Sequence, residues 1–376
     1  MSPREEQDIV TPRQPAYSDE PTRVQQLIGE FLTGQSGTSV GADGLDVRLT
    51  AGADAKDDCA VYDLSSPMSL VVGSDYVRGP KFVLYEMGLL SGFDIGYYLA
   101  VANVSDIAAM GATPIGVLSV VRYPHEVDDA EFQEVIAGIH QGCTDCGTLN
   151  VGGDIGNAER IILSATAFGV CKPGSALMRS GARPGDLLCV TGPCGLLGAA
   201  VAYFPKRDTF EKGLPEEVER RLLDGWRRPR ARVAEGRILG AKAYATACQD
   251  TSDGLKATIE QITQASGVGF RVVEEDVPVE PAVGMVADLM GVEPLALSMS
   301  ASSDFQLAFT LDPGKLEKCR AEFDLAGLEF HVIGEATGTG RAESVNHLGA
   351  VRPLPGVAWK HQKSDISLLA TGRVEE

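Results

Sequence analysis

The run Ala100–Met110, AVANVSDIAAM, constrains this chain more than any other stretch, because it sets an ionisable acid, Asp106, among apolar residues. Leu99, Ala102, Asn103, Ile107 and Met110 recur near one face at helical spacing, which predicts a buried helix over Gly96–Met110. A lone carboxylate inside such a helix costs several kcal/mol unless it is paired or bound to metal. The nearest basic residues in sequence are Lys81 and Arg122. The compensating cation must therefore arrive from elsewhere, either from a distant segment or as a bound ion.

Other acids follow the same pattern, with Gly, Ser or a second acid beside them. Asp57-Asp58 precedes the apolar run Cys59–Leu64, Ser74-Asp75 follows LVVG, Asp154 follows Val151-Gly152-Gly153, and Asp250 and Asp253 lie in CQDTSDGL. Taken singly, each reads as a helix cap or turn former. Taken together, with small neighbours that let a phosphate or hydrated ion approach the backbone, they favour a metal–phosphate site. Mg²⁺ takes carboxylate and phosphate oxygens at once and would satisfy several such acids.

Bulk composition agrees. The 376 residues suggest two domains, and 44% apolar against 6% aromatic residues predicts an aliphatic core. A net charge of −19 opposes binding to nucleic acid or anionic membranes. The opening MSPREEQDIV lacks the apolar core of a signal peptide, and no run of 18 apolar residues occurs. The eight Cys read as reduced thiols of a cytoplasmic protein, and Cys143-x-x-Cys146 lacks the second pair or His of a zinc site. There is no P-loop, no kinase H-R-D or D-F-G, no G-x-S-x-G elbow, and the five His are isolated. GPCGLLG, 192–198, reads as a turn into a helix. Arg179, in LMRSGARPGD, is equally readable as a phosphate ligand or a surface residue.

Along the chain, residues 1–22 read as a disordered tail, with a helix at Val24–Leu32 capped by Thr22. Strands are predicted at Cys59–Leu64, Leu70–Gly73, Ile115–Val121, Leu149–Val151 and Ile161–Val170, with a helix over Asp128–Cys146. Helices and strands alternate again beyond a boundary near RSGARPGDLLCVTG, 179–192. The expected organisation is an N-terminal domain over 23–172, a C-terminal α/β domain over 173–360, and a tail over 361–376.

KDDCAV, VANVSDIAAMGATP, NVGGD, LMRSGARPGD, RPRARV and DTSDGL occur in the order found in thiamine-monophosphate kinases, and the chain resembles that family over about residues 23–360. The family belongs to the superfamily of aminoimidazole ribonucleotide synthetase, selenophosphate synthetase and the hydrogenase-maturation dehydratase. The resemblance implies a two-domain α/β fold of the α+β type, like aminoimidazole-ribonucleotide synthetase, and a homodimer joined through the N-terminal sheets. It implies ATP as co-substrate, several Mg²⁺ ions and a small-molecule phosphate acceptor. By motif position Asp58, Ser74, Asp75, Asp106, Asp154, Asp250 and Asp253 would hold Mg²⁺, while Gly153, Arg179 and Ser252 would contact ATP. Asp75, Asp106, Asp154 and Arg179 would carry the transfer.

Departures from the family pattern leave the ATP and metal half largely kept and alter the acceptor half. Lys56 replaces the Gly of G-D-D, Gly73 replaces a hydroxyl residue, and Lys81 stands at a substrate-side His. GGDTT becomes Gly152-Gly153-Asp154-Ile155-Gly156, and Ser303, in ASSDFQL, stands where a substrate-contacting Glu is expected. Trp359 matches the family's substrate-packing aromatic. Three readings follow: a thiamine-phosphate kinase, a paralogue that phosphorylates or activates another acceptor from the same ATP site, or a non-catalytic nucleotide-binding dimer.

Overall fold

The computed structural model describes residues 36–37, 39–42, 45–52, 55, 57–64, 67–77, 80–124 and 129–358. Both expected tails, the helix expected at Val24–Leu32, Lys56 and Trp359 lie outside the described residues.

Two seven-stranded sheets organise the described residues. The first contains β1 (Ser39–Ala42), β2 (Leu45–Ala51), β3 (Ala60–Asp63), β4 (Ser69–Val77), β5 (Thr113–Tyr123), β6 (Asn150–Asn157) and β7 (Ile162–Cys171). Its spatial order is β1-β2-β3-β4-β7-β5-β6. Helices α1 (Pro80–Glu86), α2 (Gly92–Ala109) and α3 (Asp129–Asp145) lie between these strands in sequence. The second sheet runs β14-β13-β10-β12-β8-β11-β9. Its strands are β8 (Leu187–Val190), β9 (Ala245–Asp250), β10 (Gly269–Val273), β11 (Leu307–Leu311), β12 (His331–Thr337), β13 (Ala342–Val345) and β14 (Val351–Pro353). Pairing is mostly antiparallel, with β5–β6 and β10–β13 parallel.

Helix α2 is the axis of the molecule. Nearly all of its residues are buried, as an apolar-all-round helix must be. It begins at Gly92, four residues before the expected start. Ser91 Oγ accepts the Asp94 N–H, while the Asp94 carboxylate accepts the Ser91 N–H, a capping box that starts the helix earlier than apolar periodicity alone. The first sheet lies on α2 through alternate β4 positions such as Val71 and Val77 and through Leu163, Ala165 and Val117, all buried.

Other bounds moved for a related reason. Strand β4 runs on past Gly73 because its ladder with β7 continues to Val77 and Leu163, so Ser74-Asp75 sit inside the strand rather than after it. Strand β6 likewise runs through Asp154 to Asn157. Polar residues interrupt the apolar pattern there without ending the hydrogen-bond ladder.

The GPCGLLG turn leads, as expected, into α4 (Leu196–Tyr203). The charged segment beyond it contains α5 (Glu216–Arg227) and α6 (Val233–Ala241), and α7 (Leu255–Ser266) follows β9. The second half packs directly on α2. On α6, a Cβ at Gly236 would lie 2.1 Å from the Ala108 carbonyl oxygen, so a residue without a side chain sets that approach. Among the described residues no helix is long and apolar enough to cross a membrane.

Candidate active site

The end of α2 meets the end of β9 where the two sheets converge. Asp106 lies in the last turn of α2, Asp250 closes β9, and Asp58 sits in the bend before β3. Their carboxylate oxygens lie within 4.8 Å of one another, although the residues come from three distant segments. Ser105, next to Asp106 on α2, donates its hydroxyl to Asp250 Oδ2 at 2.5 Å and so bonds the two halves directly. Ser252 donates to Asp250 Oδ1 at 2.8 Å, and Thr258 of α7 donates to the Asp250 carbonyl at 3.0 Å. Asp250 is thereby fixed, at 1% exposure.

The cation demanded by Asp106 is supplied in part by Arg179. Its guanidinium pairs with Asp58, whose side chain is 3% exposed. The Arg179 backbone N–H donates to Asp57 Oδ1 at 2.6 Å, and its carbonyl accepts the Ser266 hydroxyl at 3.0 Å. Burial opposes the charge on Arg179, but Asp58, Asp250 and Asp57 outweigh it and push its pKa upward. One arginine does not neutralise the cluster. Burial, then Asp250, Asp58 and Asp75, push Asp106 well above the usual carboxylate range. Burial and then Asp58 push Asp250 up to about 7 against the bonds from Ser105 and Ser252. Asp57 is raised to about 6, by burial and by Asp58, against the bond from Arg179.

Asp75 stands close enough to bear on Asp106, outside the 4.8 Å group. Its backbone N–H donates to Asn103 Oδ1 at 2.9 Å, which ties β4 to α2. Beside it, a Cβ at Gly73 would fall 2.5 Å from Cys59 Sγ and 3.7 Å from Asp106 Cβ. The Cys59 sulfur fills the space that a hydroxyl residue at position 73 would need.

The other expected residues are placed differently. Ser74 alternates with Asp75 and faces away from α2, donating to the Ala165 carbonyl at 2.7 Å. Asp154 is exposed and ion-paired with Arg122 at 2.5 Å. Asp253 is half-buried, also outside the three-acid group. Gly153 pairs with Ser119, and a Cβ there would lie 1.6 Å from the Ser119 carbonyl, so only glycine fits. Lys81 lies in α1. Ser303 is half-buried and donates to the Ser252 carbonyl at 2.9 Å, joining its segment to the Asp250 loop. That segment is firmly held. Asp304 accepts the Gly195 and Leu197 N–H groups at the start of α4, and Phe305, at φ 53°, packs on Tyr98, which stacks on Trp226.

Sequence reasoning gave no role to Asp57, Asn103, Ser105 and Asp304. Ser105 and Asn103 carried a usable signal, being polar residues one and three positions from Asp106 in an apolar run.

Could these residues hold a cation? The donors are carboxylate oxygens, the set preferred by hard divalent ions. Asp58 Oδ2 is buried and has no hydrogen-bond partner among the described residues. Asp106 keeps some exposed surface, which gives an ion a way in. The residues fit Mg²⁺.

Two α/β domains with an acid cluster between them define a protein of the AIR synthase related class. The family model for its N-terminal domain matches residues 56–171, and that for its C-terminal domain matches 183–345. Within that class, the thiamine-monophosphate kinase of Pyrococcus abyssi is 30% identical over 73% of this chain and 81% of its own. That of Methanopyrus kandleri is 34% identical over 69% of this chain and 77% of its own. The chain belongs to the thiamine-monophosphate kinase family. A solved structure described as AaThiL complexed with AMPPCP and TMP shares the fold, with TM-score 0.69 and 24% identity over 81% of this chain and 91% of that one. Hydrogenase maturation protein HypE in complex with ATP does so at TM-score 0.63 and 20% identity, over 81% of this chain and 89% of that one.

Proposed function

We propose that this protein is an ATP-dependent kinase that converts thiamine phosphate and ATP to thiamine diphosphate and ADP. The observation that carries the reading is the convergence of Asp58, Asp106 and Asp250 on Arg179 in a member of this family. Both reactants are anions, so the site must gather positive charge. Bound Mg²⁺ would supply charge neutralisation and alignment of the transferred phosphoryl group.

Asp58, Asp106 and Asp250 would hold the metal, with Asp75 beside them. For Ser74, Asp154 and Asp253 the assignment rests on family position, and Asp154 must exchange Arg122 for the ion. The Arg179 guanidinium would turn from Asp58 to a phosphate, where its planar fork binds two oxygens. Gly153 would let the backbone approach the triphosphate, and Ser252 would contact ATP from the loop that holds Asp250. The acceptor phosphate is already anionic near neutral pH, so the transfer needs no general base. By family position alone, Lys81, Ser303 and Trp359 are assigned to the acceptor.

The test is incubation with ATP, Mg²⁺ and thiamine monophosphate. One thiamine diphosphate per ADP is expected, and absence of the diphosphate contradicts the reading. Ser303 favours one alternative, an altered acceptor, because its hydroxyl is turned to the Ser252 carbonyl and carries no charge. Restoring the family's acid by Ser303→Glu should lower KM for thiamine phosphate by about tenfold, the worth of one charge-assisted hydrogen bond. An unchanged KM would show that Ser303 does not set acceptor affinity.

Metal affinity should depend on pH with a definite sign. In the folded metal-free protein Asp250 keeps its proton up to about pH 7, whereas the unfolded chain releases it near 3.8. The unfolded state therefore binds fewer protons between those values, so this group's contribution to stability is complete below about pH 4 and is lost as pH rises towards 7. Mg²⁺ held by Asp250 and Asp106 would have to displace a proton from each, since Asp106 is raised as well. The apparent Kd for Mg²⁺ should rise at least about tenfold for each pH unit below about 7. Titration calorimetry at pH 5.5, 6.5 and 8 measures this, and a pH-independent Kd contradicts it.

A homodimer would form through the first sheet, where Tyr76 and Leu118 remain exposed on the face turned from α2. Light scattering should give twice the chain mass of 39.7 kDa, and a single chain mass would rule the dimer out. The eight free cysteines support a cytoplasmic setting.

A further inference from the structure

We infer that Asp57 is a positioning residue that holds the backbone of Arg179 for phosphate binding, an inference that rests on the proposed role of Arg179. The adjacent acids divide one arginine between them. Asp58 takes the guanidinium, and Asp57 Oδ1 takes the backbone N–H at 2.6 Å. Asp57 is not among the acids assigned to metal by family position, and its Oδ1 is taken by the Arg179 N–H.

The opposite side of the same segment is held from the second half of the chain. Ser266 of α7 donates to the Arg179 carbonyl at 3.0 Å and accepts the Ala182 N–H at 3.1 Å. The Cys248 N–H of β9 donates to the Met178 carbonyl at 2.9 Å. Arg179 thus hangs between the domains, with Asp57 gripping its main chain from the first and Ser266 from the second.

The division matters when the guanidinium turns to a phosphate. The bond to Asp58 is then given up, while the bond to Asp57 survives because it uses only the main-chain N–H of Arg179. Asp57 keeps the Cα of Arg179 in register with the acid cluster while the side chain moves. An acceptor oxygen is all that the task requires, so an amide can replace the carboxylate.

The experiment measures ATP affinity by calorimetry, kcat and KM for Asp57→Ala, Asp57→Asn, Arg179→Ala and the double variant Asp57→Ala/Arg179→Ala, with melting temperatures for each. Asp57→Ala should weaken ATP binding about tenfold, Asp57→Asn should stay within about threefold of wild type, and the double variant should match Arg179→Ala. Asparagine retains the acceptor and the fold, so it keeps the test decisive if alanine melts. Losses that multiply in the double variant, or an asparagine variant as weak as alanine at unchanged melting temperature, overturn the positioning role alone. An Arg179→Ala protein with wild-type ATP affinity and turnover overturns the proposed role of Arg179, and Asp57 would then have nothing to position.

Discussion

Asp106→Asn should abolish turnover while making the metal-free protein more stable. The two effects have one cause. In the metal-free protein the Asp106 carboxyl is grouped with Asp250, Asp58 and Asp75, and Arg179 offsets them in part. An amide of the same shape removes the repulsion, so the metal-free melting temperature should rise by about 2–4 °C for each kcal/mol relieved. The same change removes a proposed donor for Mg²⁺. Losing about 4 kcal/mol of charge stabilisation in the transition state lowers kcat by about 10³-fold. Thermal melts with and without Mg²⁺, beside the kinase assay, check both signs. Near-wild-type turnover in this variant would remove Asp106 from the metal site.

Arg179→Ala should act in the opposite direction on stability. The guanidinium is the internal cation of the cluster, paired with Asp58 and close to Asp250 and Asp57. Removing one partner from a buried ion pair typically costs about 3–5 kcal/mol, because the remaining charges lose their compensation. The metal-free protein should melt well below wild type. Mg²⁺ can take over neutralisation of the carboxylates, so saturating metal should recover most of the loss. Turnover should stay low, because the ion cannot replace a planar donor fork on the phosphate. A variant that melts like wild type without metal, or that regains full activity with Mg²⁺, would show that Arg179 is not the counterion described here.

The contrast between these two residues also explains what could be read from sequence. Asp106 was legible because its anomaly is local: one acid in an apolar run, with the nearest bases at Lys81 and Arg122. Arg179 was evenly balanced because its partner, Asp58, is 121 positions away. Asp57 was grouped with Asp58 and given no role of its own, because its bond goes to a backbone N–H 122 positions distant, and no side-chain pattern encodes that. The alternation of helices and strands was visible, but the ends of β4 and β6 were not. Their polar residues continue a hydrogen-bond ladder that apolar patterning cannot report. The same limit hid the fact that Ser74 and Asp75 face opposite sides of one strand, because neighbouring strands and α2 decide which side is covered.

The departures from the family pattern now divide in two. Gly73 has a local steric reason in Cys59 Sγ, which fills the space where a side chain would go. Ser303 has a local bond, to the Ser252 carbonyl, and sits in a segment fixed by the Asp304 contacts to α4. A rigid segment with a changed side chain is where acceptor preference would be altered without loss of the nucleotide site.

On the proposed function, acids from three segments converge because a divalent cation and a nucleotide bind there. Anomalous diffraction from crystals grown with Mn²⁺ and a non-hydrolysable ATP analogue tests it most directly. Manganese peaks are expected about 2.1 Å from carboxylate oxygens of Asp58, Asp106 and Asp250, with a phosphate on the Arg179 guanidinium. Metal and nucleotide bound elsewhere, with Arg179 still on Asp58, would contradict it.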